Sequence, residues 1–364
     1  MITKRWIFLD YFRAAAMFLV MWPHLTELIN PSWQVLAGIQ WLINRPLHII
    51  QNFGALGVCY FLCISGFLLN KSTEGPLRFI IKKLRNVYFP LLVLMLINYL
   101  FIFLIEHIFG LYTYWHQFTI KDWIYSATAF IFILGEPDGV NGVLWYIVPC
   151  FLGWFIFAVW KLFGRSPLSY PLFFNIIILT IVYLPDTYFG KMVGIRNQGI
   201  YAIIMIFGYL IGCFFRSDVS KKRVVLMMIF TYFTTILSFY RVQNGYYEGE
   251  PYILSILIAV LSFSIGALLN DYFQEKPVIK TLNQISFPFY VQHSIIGGCI
   301  ISLMFYHCPY IVCLLCGILV TLFFSLIYQK VSAFISSALN GMMLFLFKGK
   351  DRKIKCYFGG RIKR

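Results

Sequence analysis

Ten apolar runs follow one another along this chain with only short polar segments between them: 12–29, 49–70, 86–109, 143–163, 170–184, 199–215, 222–240, 251–270, 286–306 and 308–328. A bilayer core about 30 Å thick is crossed by about 20 apolar residues in a helix, and inside it every backbone polar group must be paired within the segment. The chain therefore reads as an all-α polytopic integral membrane protein of about ten transmembrane helices. Its composition agrees, because 60% of the 364 residues are hydrophobic and 12% charged, against roughly 25% charged in a soluble domain. The segments between runs are too short for a second folded unit. The expected organisation is a membrane domain over 1–335 and a basic cytoplasmic tail over 336–364. An eleventh run, 123–134, falls short of spanning length and is expected to lie at the interface or re-enter the membrane.

The net charge of +16 would suggest nucleic acid in a soluble protein, but in a membrane protein it is first a matter of orientation, because cytoplasmic loops collect Lys and Arg. With the N-terminus inside, 25 basic residues fall on the inner side and 5 on the outer, which accounts for all 30. Both termini are therefore expected in the cytoplasm, with no nucleic-acid partner. The first run, with Asp10 just before it, carries Arg13, His24 and Glu27 and lacks a small-residue cleavage pattern, so it is expected to stay as a span. The nine cysteines lie mostly in apolar runs, and Cys313 and Cys316 have no His or further Cys at ligand spacing; neither disulfide nor metal is expected.

Ionisable side chains inside spans are costly and mark functional positions. Asp10 and Arg13 stand three residues apart at the inner end of the first span. His24 follows eleven residues after Arg13, close to three helical turns and about 16 Å along the axis, so Arg13 and His24 share a face. Pro23 removes a ladder bond beside the imidazole, and Glu27 at i+3 is spaced to orient one ring nitrogen. Gly54, Gly57 and Gly66 in the second run allow close helix approach. The basic run Arg78, Lys82, Lys83 and Arg85 precedes the third span, and Lys82 and Arg85 at i and i+3 suit the phosphates of a nucleotide-type ligand. Trp145 and Tyr146 open the fourth span from outside, where an aromatic belt would also place them. Tyr290 and His293 open the ninth span from inside. On the residues alone, a transporter or flippase for a glycan or lipid-linked precursor stays open, since it too would carry about ten spans and intramembrane polar groups.

In order and spacing these motifs resemble the integral-membrane acyltransferase family 3, which includes O-acetyltransferases of surface glycans. Asp10, Arg13, Ala14, Ala16 and His24 match its first-span pattern, Ser65-Gly66-Phe67 its Ser-Gly-Phe element, and Lys82 to Arg85 with Tyr88 and Pro90 its paired-Arg element, Lys82 replacing the first Arg. Trp145-Tyr146 is similar to its Leu-Trp-Phe element, and Tyr290 to His293 to its late Tyr-x-x-His. The resemblance covers residues 9 to about 330. It implies a multi-pass plasma-membrane enzyme that moves an acyl group, acetyl in most members, from cytoplasmic acyl-CoA to a sugar hydroxyl of a glycan acceptor. No cofactor would be permanently bound. His24 would be the general base, oriented by Glu27; Arg13, Lys82 and Arg85 would hold CoA phosphates, with Asp10 paired to Arg13; and Ser65 would donate to a developing oxyanion. Trp145, Tyr290 and His293 are further candidates.

Overall fold

The computed structural model describes residues 5–27, 29–47, 53–134, 139–164, 166–242 and 249–332. The basic tail expected over 336–364 lies outside the described residues. All described regular structure is helical. Among the described residues, seven helices are long and apolar enough to cross a membrane: α3 (Pro76–Phe109), α6 (Gly142–Trp160), α8 (Val193–Phe214), α9 (Lys221–Arg241), α10 (Pro251–Leu268), α11 (Pro277–Met304) and α12 (Tyr310–Ser332). Three other expected spans coincide with α1 (Phe8–Leu25) and the shorter apolar helices α2 (Phe53–Leu69) and α7 (Ser169–Tyr183).

Three helices begin well before the apolar runs that announce them. Hydropathy marks where a helix is in hydrocarbon, whereas backbone pairing continues into its charged, interfacial turns. The consequence is largest in α3. Pro76 sits in its first turn, where the missing N–H costs nothing, and the basic run 78–85 is continuous helix with the span that follows. The helix stops at Gly110, whose φ of +65° is the left-handed cap favoured by glycine. Between these ends, a wider turn over Leu84–Tyr88 interrupts the α-helical register.

The 123–134 run does not form one helix. It is split into α4 (Ile120–Ala127) and α5 (Phe130–Ile133) at Ala129, which adopts φ +55°. Thr119 caps α4 reciprocally with Asp122, and Trp123 and Phe132 are buried.

The centre of the bundle is α2, which packs against α1 on one side and α8 on the other, with α10 closing a third side. Small residues set these distances. A methyl on Gly66 would stand 1.7 Å from the Met205 carbonyl oxygen, and one on Gly208 1.9 Å from that of Cys63, so the α2 and α8 backbones touch. The peripheral helices do the reverse. Leu92, Leu96, Leu100 and Phe103 on α3, and Leu315, Leu319 and Phe323 on α12, are exposed stripes at helical spacing, the face a multi-pass membrane protein turns to lipid. α11 lies against α1 and α3 and brings its polar face towards α1.

Candidate active site

Two groups of polar residues lie on the shared face of α1 and α11, one at each end. At the Arg13 end is a cavity of about 480 Å³ lined by residues including Arg13, Ser65, Lys83, Tyr146, Asn283 and Tyr290. Arg13 Nη1 donates to Asn283 Oδ1, and Asn283 Nδ2 donates to Asp10 Oδ1 at 2.8 Å. Asp10 also accepts from Arg5 Nη2 at 3.1 Å, and Arg5 is paired with Glu275. The expected Asp10–Arg13 pairing is thus relayed through an amide on α11, and the carboxylate is shared with Arg5. A first-turn carboxylate on α1 also suits the helix dipole.

Ser65 is 3.5 Å from the Tyr146 hydroxyl. Tyr146, Tyr290 and Phe61 form a cluster with ring centroids 5.6–5.9 Å apart, and the Tyr290 hydroxyl donates to the Val143 carbonyl. Trp145 points elsewhere: its ring meets Tyr201 at 4.8 Å, buried among the aromatics of α8 to α10. Adjacent residues on the tight 3-10 turn Gly142–Tyr146 face different directions, so Tyr146 enters the cavity and Trp145 does not.

The expected phosphate pair, Lys82 and Arg85, is not brought together. Lys82 is tied to Glu74, whose carboxyl is held down at about 2 by that hydrogen bond and one from Ser72. Arg85 donates to Asn86 at 3.0 Å and lines a neighbouring groove of about 440 Å³ with Tyr328 and Gln329. Residues at i and i+3 share a face only at α-helical spacing, and the wider turn from Leu84 onwards breaks that spacing. The cation that does reach the cavity is Lys83, one turn beyond Phe79, which is 3% exposed and buried against Phe157. Lys83 Nζ stands 4.6 Å from the Trp154 ring centroid and 5.5 Å from that of Phe79.

Deeper along α1, the Tyr290 ring is followed by His293 at 6.0 Å, and His293 by His24 at 5.3 Å, edge to face. His293 is fully buried. Its Nδ1 is 3.2 Å from the Phe289 carbonyl oxygen, an acceptor only, so Nδ1 carries the proton and Nε2 presents a lone pair. That Nε2 is buried with no hydrogen-bond partner among the described residues. Around it the helix is distorted. Pro288 removes a ladder bond within α11, a wider turn runs over His293–Gly297, and the Val291 carbonyl receives the side-chain amides of Asn98 at 3.3 Å and Asn141 at 2.8 Å. Asn98 Oδ1, Asn141 Oδ1 and Gln292 Nε2 are also buried without partner among the described residues. Buried polar atoms are nearly always satisfied, and wider helical turns recur at functional positions.

No hydrogen bond joins Glu27 to His24 among the described residues. α1 ends at Leu25, with Thr26 turning back to bond the Trp22 carbonyl, so Glu27 lies past the helix and the i, i+3 relation lapses. His24 meets His293 instead. The residues that sequence reasoning missed are Asn283, Lys83, Tyr146 as distinct from Trp145, and the Asn98/Asn141 pair. A signal existed for the first: Asn283, Ser286, Tyr290 and His293 follow one another at intervals of three, four and three, one face of a helix.

No curated protein and no solved structure matches the chain. A family model described as an acyltransferase domain matches residues 6–330. The chain belongs to acyltransferase family 3 and is a multi-pass membrane acyltransferase.

Proposed function

We propose that this acyltransferase moves an acyl group, acetyl as the expected case, from cytoplasmic acyl-CoA to a sugar hydroxyl of a cell-surface glycan or its precursor, in the plasma membrane. The observation that carries the reading is the histidine pair. Two imidazoles 5.3 Å apart, one with a buried, unpaired Nε2, stand in a patch of orphaned amide groups on the same helix face as the basic cavity.

A hydroxyl is a weak nucleophile at neutral pH, and removing its proton as it attacks is the task a buried neutral imidazole performs. In the proposed step His24 takes the hydroxyl proton as the sugar oxygen attacks the thioester carbonyl. The carbon–sulfur bond then breaks, and the departing CoA sulfur recovers that proton from the imidazolium. His293 presents a second proton acceptor one ring away. The orphaned amide hydrogens of Gln292 suit a sugar hydroxyl, and Ser65 and Tyr146 supply hydroxyl donors beside the path of the acyl arm. The family match favours transfer chemistry over the transport alternative. Among the described residues Glu27 makes no hydrogen bond to His24, and Asp10 accepts a hydrogen bond from Asn283, which in turn accepts one from Arg13.

The test is His24→Ala in purified, detergent-solubilised protein. Acyl transfer should fall by about 10² to 10⁴-fold, with acyl-CoA affinity retained. Unimpaired transfer would remove His24 from the chemistry.

A further inference from the structure

The His293 ring goes where the backbone of its own turn goes. Its Nδ1 is tied to the Phe289 carbonyl oxygen at 3.2 Å, and the ring stacks on that of Phe289 at 6.0 Å and 12°. That backbone is irregular. Pro288 lacks the N–H of a ladder bond, and the wider turn over His293–Gly297 departs from α-helical pitch. A change of pitch leaves a nearby carbonyl short of a ladder partner, and a buried carbonyl without a donor is costly. Each residue of a regular helix advances about 100°, so loss of the wider turn would swing the residues within and beyond it round the axis by up to that much, His293 first among them.

Two side chains from elsewhere in the bundle supply donors at this point. Asn98 Nδ2 on α3 reaches the Val291 carbonyl oxygen at 3.3 Å, and Asn141 Nδ2, immediately before the turn that opens α6, reaches it at 2.8 Å. Both asparagines are buried, at 0% and 1% exposed, and both amide nitrogens also lie against Met95 Sδ, at 3.9 and 3.6 Å. A carbonyl only accepts, so the N–H edge of each amide must face it. Each Oδ1 is thereby turned away, buried and without a donor among the described residues. An apolar side chain of the same size would avoid that cost, so the N–H groups are what these two positions supply. A reciprocal bond runs the other way, from the Tyr290 hydroxyl to the Val143 carbonyl, and stitches the segment after Asn141 to the same turn of α11.

We propose that Asn98 and Asn141 are positioning residues of the transfer reaction: together they clamp the Val291 carbonyl, hold α11 in its wider turn and keep the His293 ring against that of His24 at 5.3 Å. Asn141 carries the larger share, since its bond is the shorter and its segment is the one that Tyr290 also bonds. What the two histidines do rests on the proposed function; the clamp itself is independent of it.

The experiment has a structural and a kinetic readout on the full-length protein. In lipid nanodiscs with isotopically labelled histidine, solid-state NMR follows the ring-to-ring contact of His24 and His293, the signals being assigned with His24→Asn and His293→Asn. In membranes bearing the protein, transfer of labelled acetyl from acetyl-CoA into the glycan fraction gives the maximal rate and the KM for the donor. Asn141→Leu, which keeps the size and removes the N–H, should lose the contact and lower the maximal rate by about 10 to 10²-fold with the donor KM unchanged. Asn98→Leu should weaken both readouts less. In a His293→Gln background, Asn141→Leu should change the rate by less than about twofold, because residues that act through one group are not additive. Ring contact at parental strength in both leucine variants would refute the clamp. So would a loss of rate as large in the His293→Gln background as in the parent, the mark of a packing defect. If the parent transfers no acetyl group to glycan while its ring contact depends on Asn141, the clamp stands and the acyl-transfer reading fails; transfer with a contact indifferent to both asparagines is the reverse result. An Asn141→Leu protein that elutes as aggregate is replaced by Asn141→Ser and Asn98→Leu, judged on the same contact and rates.

Discussion

Gly66 belongs both to the Ser65-Gly66-Phe67 element and to the contact between α2 and α8. Its replacement by Ala shows which role is decisive. The added methyl would stand 1.7 Å from the Met205 carbonyl oxygen, and ordinary contact begins at 3.4 Å, so 1.7 Å of separation has to be found. The obstruction is backbone, and both helices are buried in the centre of the bundle. No flexible side chain can move aside. Overpacking a filled core costs about 1–3 kcal/mol, and a helix-to-helix collision places Gly66→Ala at the upper end, about 3 kcal/mol, a large share of the 5–15 kcal/mol typical of a folded domain. The same displacement moves Ser65, which lines the cavity beside Tyr146. A misplacement of about 1 Å at a reacting centre can cost about 10²-fold in rate. The measurements are thermal unfolding of the purified protein in detergent, and transfer rate at a temperature where the variant remains folded. Gly208→Ala, whose methyl meets the Cys63 carbonyl oxygen at 1.9 Å, should behave alike. The double variant should lose less than the sum, because helices already parted leave room for the second methyl. A Gly66→Ala protein with parental midpoint and rate would refute the contact.

Three further outcomes are expected. Asn283→Ala removes the amide that joins Arg13 to Asp10; two charge-assisted bonds are lost in a part-buried setting, so a rise in donor KM of about tenfold or more is expected, with kcat changing less, and an unchanged KM would show that Arg13 needs no relay. The Glu74 carboxyl is held at about 2, below its ordinary 4.5, and a lowered carboxyl pKa adds stability that is present above 4.5 and lost as pH falls towards 2. The thermal advantage of the parent over Glu74→Gln is therefore flat near neutral pH and closes on acidification, and an advantage that widens in acid would contradict the pairing with Lys82. Reporter fusions after Asn70 and Arg216 should report cytoplasm and a fusion near Asp122 the exterior; a cytoplasmic signal near Asp122 would reverse the orientation drawn from the basic residues.

The amino-acid sequence determines on its own whatever depends on distance along one helix or on transfer into hydrocarbon. Apolar length is set by bilayer thickness, so the membrane class and the approximate positions of the spans follow from runs of residues, and the shared face of Arg13 and His24 follows because α1 is regular between them. Where regularity stops, the inference stops too. Glu27 falls past the end of α1, and Lys82 and Arg85 are separated by a change of helical pitch that no single residue type announces. The tertiary structure alone decides which of two neighbouring lysines enters the cavity. Phe79 has to be buried against Phe157, which rotates α3 so that Lys83 faces inward and leaves Lys82 to Glu74. It likewise decides that Asp10 reaches Arg13 through Asn283, and that His24 meets His293, partners about 270 residues away along the chain. Packing energy between helices sums over whole faces, so no local spacing carries these choices.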